Sequence, residues 1–313
     1  MQHPFIRRRA HAGAGVLLVI TAALLWSTVG VAGAIVHERS GLTPVQIGFW
    51  RLAAGAAGTL PLLLRHGAVR ALRPDRARLA GVGIALAAYQ ACYFAAVTLA
   101  GVSLATLVTL GIAPVLVAVG SRVLLGEAPE RATVMALVAA LAGLALLVGA
   151  PAPGVGSPVV LAGAGLALGS ALGYAGVTLV SRRRDHGAVA QFAAASFCIG
   201  AAAALPLTLW DGLALPRDAV TLLLLVYLGA GPTALAYVAF FRGLRTVRAT
   251  TAAVLTLIEP AAATLLAVVL LGERLGPWGL VGATVLMGTA ALLAIAQARG
   301  RPAGEAIGPA ATG

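Results

Sequence analysis

The sequence predicts an all-α polytopic membrane protein, its ten transmembrane helices forming two inverted five-helix repeats. Three observations carry that prediction: an apolar composition, the side to which the loop arginines fall, and one motif that occurs twice. Hydrophobic residues make up 60% of the 313 residues, charged residues 10%, and the mean hydropathy is +0.97. A soluble domain carries about 25% charged residues, so this chain lacks the charge to cover a water-facing surface. Its apolar runs are each about 20 residues, enough to cross a hydrocarbon core of about 30 Å.

The ten spans are read as apolar runs between charged or Gly/Pro-rich clusters. The first, 13–36, follows a basic start, and its uncharged run from Ala12 to Val36 is 25 residues. That exceeds the about 7–15 residues of a signal-peptide core, so a retained helix is expected. The second covers 44–64. The third and fourth, 79–99 and 102–124, are parted only by "AGVS"; one 46-residue span is too long for a bilayer. The fifth, 132–150, ends at the linker "APAPGVGSP", after which come 158–181, 188–209, 218–241, 249–271 and 277–297. The expected units are therefore a first repeat over 13–150 and a second over 158–297. The linker 151–157 falls outside the cell, and the segments 1–12 and 298–313 inside it.

The loop arginines test this count. With the N-terminus inside, 18 arginines fall on the inner side and three (Arg39, Arg217, Arg274) on the outer side, with Arg51 inside a helix. Cytoplasmic loops collect arginine and lysine in this way. The net charge of +12 is thus spread over loops rather than along one face, which argues against nucleic acid as a partner. All 22 basic residues are arginines, which reads as genomic base-composition bias. Cys92 and Cys198 lie in apolar runs and read as small buried residues, not a disulfide. The five histidines are terminal or in loops without metal-ligand spacing, and no metal or cofactor is expected.

The repeat shows in "LATLVTLGIAPVLVAVGSRVLLGEAPE" (Leu104 to Glu130) and "TTAAVLTLIEPAAATLLAVVLLGERLG" (Thr250 to Gly276). In each, a proline precedes by thirteen residues the glutamate of "LLGE": Pro114 and Glu127, then Pro260 and Glu273, 146 residues further on. This puts helices four and nine in register. Each half holds five spans, an odd number, so the second half enters the membrane from the opposite side. Two such halves can exchange inward- and outward-open shapes around a shared site, the architecture of many secondary transporters.

With these motifs, "ALLWSTVGVAGAIV", "LTPVQIGFWRLAAGA" and "LGAGPTALAYVAFFRGL", the chain resembles the drug/metabolite transporter superfamily with two EamA-type domains, from about residue 14 to 297. The resemblance implies ten helices and both termini cytoplasmic. It further implies a cavity lined by helices one, three, four, six, eight and nine, and transport of small metabolites or drugs, with efflux the expected direction. Two departures stand out. Pro232 follows "GAG" where the family usually has no proline, and Ala113 in the first repeat stands where the second has Glu259.

Glu259 lies mid-span in helix nine. A charge at a helix centre costs about 2.5–3.5 kcal/mol on insertion scales, so it must face a polar interior or carry a proton. It is read as a substrate contact or proton-binding site, or else as a carboxyl that ties the two halves together. Pro260 removes a backbone donor and would free the carbonyl of Thr256 toward the cavity. Pro114, Pro232 and Pro260 are the candidate helix breaks or hinges. Arg51, about 10 Å into helix two, either meets a substrate carboxylate or Glu259, or snorkels to the outer surface. Arg122, one turn from Glu127, is expected to reach the inner face. Glu127 and Glu273 are expected to cap the helices after them.

Aromatic residues are only 5% of the chain. Trp26, Tyr93, Tyr174 and Tyr237 fall mid-span rather than at the interfacial belts, on four helices expected to line the cavity. Tyr89 shares a helix face with Tyr93, with Gln90 beside them. Together they suggest a site for a small amphiphilic or aromatic-tolerant solute, with protons the second candidate partner. No phosphate-binding loop is present, so ATP-driven transport within the chain is not expected. An intramembrane enzyme would need a nucleophile–base or metal set, and the interiors of the spans hold no histidine and one carboxylate; a channel would need a continuous polar lining.

Overall fold

In the computed structural model the described residues, 4–64, 76–149, 157–182, 189–271 and 276–298, form helices and short connections with no strand. The expected linker up to Gly156, the cap at Glu273 and the tail beyond Ala298 lie outside them. Helix α1 spans Pro4–Ser40. It begins nine residues before the expected start at 13, because proline suits a first helical position and the Arg/Ala-rich stretch behind it favours helix. Its apolar span is Gly13–Ser40. Helix α2 is Pro44–Leu63 and opens on a capping box, with the Thr43 hydroxyl accepting the Gln46 N–H and the Gln46 side chain accepting that of Thr43.

The next 50 residues, Arg76–Leu125, run helical through a corner at Gly101, where φ is 80° and ψ 160°. That backbone conformation is open to glycine and strained for other residues. It divides the run into α3 (Arg76–Gly101) and α4 (Leu104–Leu125), as the short "AGVS" separator implies. Tyr93 and Thr106, either side of the corner, join through their hydroxyls at 2.9 Å. Then come α5 (Arg131–Val148), α6 (Pro158–Arg182), α7 (Val189–Trp210) and α8 (Ala219–Gly243). Helix α9 is in two pieces, Ala249–Leu255 and Ile258–Leu271, and α10 is Pro277–Ala298. Nine of the described helices are each long and apolar enough to cross a membrane. The tenth, α2, carries Gln46, Trp50 and Arg51, and its lower hydropathy leaves it out of that set.

Small residues set the packing, since helices in lipid associate by close approach rather than by hiding apolar surface from water. A Cβ on Gly282 of α10 would run into the Gly143 carbonyl and Leu147 of α5, so only glycine allows these two backbones to meet. Helix α6 lies along both α3 and α4, with Gly173 under Tyr89 and Leu179 against Gly120. Helix α1 packs against α8, α9 and α10.

The helix ends meet in two sets. Arg39 near the end of α1 pairs with Asp218 before α8 at 3.3 Å, and Trp50 of α2 donates to the Ala214 carbonyl between α7 and α8 at 2.9 Å. Glu127 and Glu130, between α4 and α5, meet Arg182 at the end of α6 (2.9 Å) and Arg248 before α9 (3.2 Å). Such pairings agree with alternation of ten helices, with each set at one face. Five spans per half then leave the halves inverted.

Candidate functional site

Pro260 breaks α9. Without its N–H, the Thr256 carbonyl loses its normal helical partner. Two tighter turns close the gap: Leu257 N–H donates to Val254 (3.1 Å) and Glu259 N–H to Thr256 (2.9 Å). The expectation of a free Thr256 carbonyl is therefore corrected: Glu259's own backbone occupies it. Glu259 stands in the first turn of the second piece, where the positive end of a helix favours a carboxylate. It is half-buried, and among the described residues its carboxylate has no hydrogen-bond or ion-pair partner.

Arg51 is 7% exposed, so it does not snorkel to the outer surface. Its Nε is buried without a hydrogen-bond partner. It interacts electrostatically with Glu259, Tyr89 and Tyr237, yet the two charges form no ion pair. A cation and an acid thus lie within electrostatic reach of one another, and the Arg51 Nε has no hydrogen-bond partner.

Aromatic rings from α1, α3, α6 and α8 pack against one another. Trp26 lies 5.0 Å from Tyr237, 5.2 Å from Phe240 and 6.4 Å from Tyr174 between ring centroids. Tyr89 stands edge-on to Tyr174 at 6.3 Å, and its hydroxyl shares a hydrogen bond with that of Tyr237. Tyr174 reaches the Thr256 hydroxyl at the α9 break, 3.2 Å away, which ties the cluster to the turn that carries Glu259. The Trp26 Nε1 and Ser170 Oγ are buried without partners.

The structure does not gather every candidate. Tyr93 is held by Thr106 away from the rings, although it remains within electrostatic reach of Glu259. Gln90 lines a separate crevice of 160 Å³ between α2, α3 and α7, its Nε2 donating to Leu86 and its Oε1 unpartnered. Pro114 is buried in a continuous α4 and breaks nothing. Pro232 sits in a π-helical turn, Ala230–Leu235, where the Thr233 hydroxyl bonds the Leu228 carbonyl that proline cannot reach (2.7 Å). Glu127 does not cap α5, whose start has no side-chain cap, because its carboxylate is drawn to Arg182 across the seam. Arg122 is exposed, as expected of a residue near a helix end. Phe240 and Ser170 were not singled out from the sequence, yet each had a signal: Phe240 is three residues after Tyr237 and Ser170 four before Tyr174, on the same helix faces.

The model of the EamA-like transporter family matches this chain twice, over residues 13–149 and 161–295. The chain belongs to the EamA-like transporter family. As an EamA-like chain it is a multi-pass membrane protein of a transporter family. It is 30% identical to the uncharacterized transporter YwfM of Bacillus subtilis (strain 168) over 276 residues, 87% of this chain and 90% of that protein. It is 32% identical to an uncharacterized transporter of Archaeoglobus fulgidus over 277 residues, 87% of this chain and 93% of that one. Among solved structures, one crystal structure at 28% identity aligns with a TM-score of 0.76 over 91% of this EamA-like chain and 97% of its own.

Proposed function

We propose that this protein is a secondary transporter that moves a small amphiphilic organic solute across the cytoplasmic membrane by alternating access. Both termini lie in the cytoplasm, and the direction is efflux. The halves 13–150 and 158–297 rock about the space shared by Glu259, Arg51 and the rings of Trp26, Tyr89, Tyr174 and Tyr237. One observation supports this reading: an acid and a cation in the spanning region lie within electrostatic reach of each other and form no ion pair. Leaving such groups unpaired is costly, and the cost is offset when a solute supplies a donor to Glu259 and an acceptor to Arg51. The aromatic faces take its apolar body. Exchange of a proton at Glu259 couples the movement to the proton gradient.

The test is counterflow in proteoliposomes with a metabolite panel at two pH gradients, comparing wild type with Glu259→Gln. The expected result is transport by the wild type that follows the gradient and residual transport by the variant that does not. Unchanged pH dependence in the variant would overturn the coupling. Absence of counterflow for every solute would overturn the transport reading itself. Inside-out against right-side-out vesicles decide the direction.

A further inference from the structure

The glutamate of the second "LLGE" motif lies outside the described residues, but the first forms a contact that capping does not explain. The α4–α5 turn, Gly126 to Glu130, belongs to the first five-helix unit and is gripped by two arginines of the second. Arg182, the last residue of α6, puts Nη2 2.9 Å from Glu127 Oε1. Arg248, immediately before α9, shares Nη1 between Glu130 Oε1 and the Ala128 carbonyl, each at 3.2 Å. Beneath this grip the seam is held by hydroxyls at the long end of hydrogen-bond range, Ser121 with Thr250 at 3.3 Å and Thr133 with Thr251 at 3.4 Å.

The Glu127–Arg182 pair is incomplete. A guanidinium and a carboxylate commonly form two parallel bonds, yet here Glu127 Oε2 and Arg182 Nε are buried and unpartnered. Orphaned polar atoms oppose burial, so separation of the two units lets water reach both and lowers the cost of opening. Arg248 also leads into the seven-residue first piece of α9, which ends at the break beside Glu259. A change at the acid is thereby one short rigid element from the grip.

We infer that Glu127, Glu130, Arg182 and Arg248 form the gate on their face of the membrane, an inter-unit clasp that closes the path to Glu259 and releases during each cycle. The inference rests on the transport reading for its purpose, but its geometry can be tested without any solute. In a chain whose Cys92 and Cys198 are replaced by alanine, Ser170→Cys places a reporter thiol in the buried interior of α6. A membrane-impermeant maleimide is applied to vesicles from the face that carries Glu127. Glu127→Gln and Arg182→Gln should each raise the labelling rate at least about fivefold, the low end for loss of one coupling contact. The charge-swapped pair Glu127→Arg with Arg182→Glu should return it toward the starting rate. Unchanged labelling in both single variants, or a swapped pair that labels as fast as they do, would overturn the gate. If these variants do not fold, Glu130→Gln and Arg248→Gln make the same test on the second pair. Failed counterflow with intact gating would count against the transport reading alone.

Discussion

The hydroxyls of Tyr89 on α3 and Tyr237 on α8 share a hydrogen bond across the seam between the first and second five-helix units. The two residues are 148 apart, against a repeat offset of 146, so the bond joins nearly equivalent places in matched helices. Tyr89→Phe or Tyr237→Phe leaves the other hydroxyl buried without its partner, at a cost of about 1–3 kcal/mol. Either single variant should lower the melting temperature in detergent, and the double variant should lower it by little more than one of them. Additive losses would show that the hydroxyls act independently.

Arg51 separates stability from function. Its Nε is buried without a hydrogen-bond partner, and a buried ion that is poorly paired carries a desolvation cost of several kcal/mol that its neighbours do not repay. Arg51→Met should therefore keep or raise the melting temperature while solute counterflow falls by about tenfold or more. A sharp loss of stability with normal transport would make Arg51 a structural residue.

The π turn in α8 makes a paired prediction. Thr233→Val removes the only described side-chain bond to the Leu228 carbonyl, at a cost of about 1 kcal/mol. Pro232→Ala in the same chain restores a backbone N–H four residues from Leu228, so the double variant should recover most of the lost melting temperature. Failure to recover would mean that the turn is fixed by packing against α2 rather than by hydrogen bonding.

Asp218 gives an acid-side effect at the opposite face from the clasp. Contacts with the side chain and N–H of Thr221, and then with Arg39, hold its carboxyl below the usual carboxylate range. The folded state therefore binds this proton less tightly than the unfolded state. Its contribution is complete above the ordinary carboxylate value and disappears as pH falls through the lowered one. Thermal melts of the wild type against Asp218→Asn should differ at neutral pH and converge in acid. A constant difference at every pH would exclude the charge as the cause.

Much of this was legible in the sequence. Hydrocarbon thickness makes a span recognisable by length alone, and the "LLGE" repeat relates the halves. A lone acid such as Glu259 is conspicuous against some twenty uncharged neighbours. The faces of the helices were less legible. Exterior and interior are almost equally apolar in a membrane bundle, so no strong periodicity marked that Gln90 turns to the α2–α7 crevice while Tyr89 beside it turns to the rings. Nor did spacing show that Glu127 ignores the helix after it for an arginine 55 residues on.

The sequence by itself determined that the chain crosses a membrane ten times, that it is built twice over, and that the second build carries a carboxylate the first lacks. These rest on local chemistry: a bilayer rejects charge, and an odd number of spans turns the second half upside down. Only the tertiary structure decided that Arg51 is buried near Glu259 without touching it, that Trp26, Tyr89, Tyr174 and Tyr237 form one cluster while Tyr93 stands apart, and that α9 parts beside its acid. Those outcomes depend on rotation and close approach of whole helices, which glycine and alanine permit everywhere and direct nowhere.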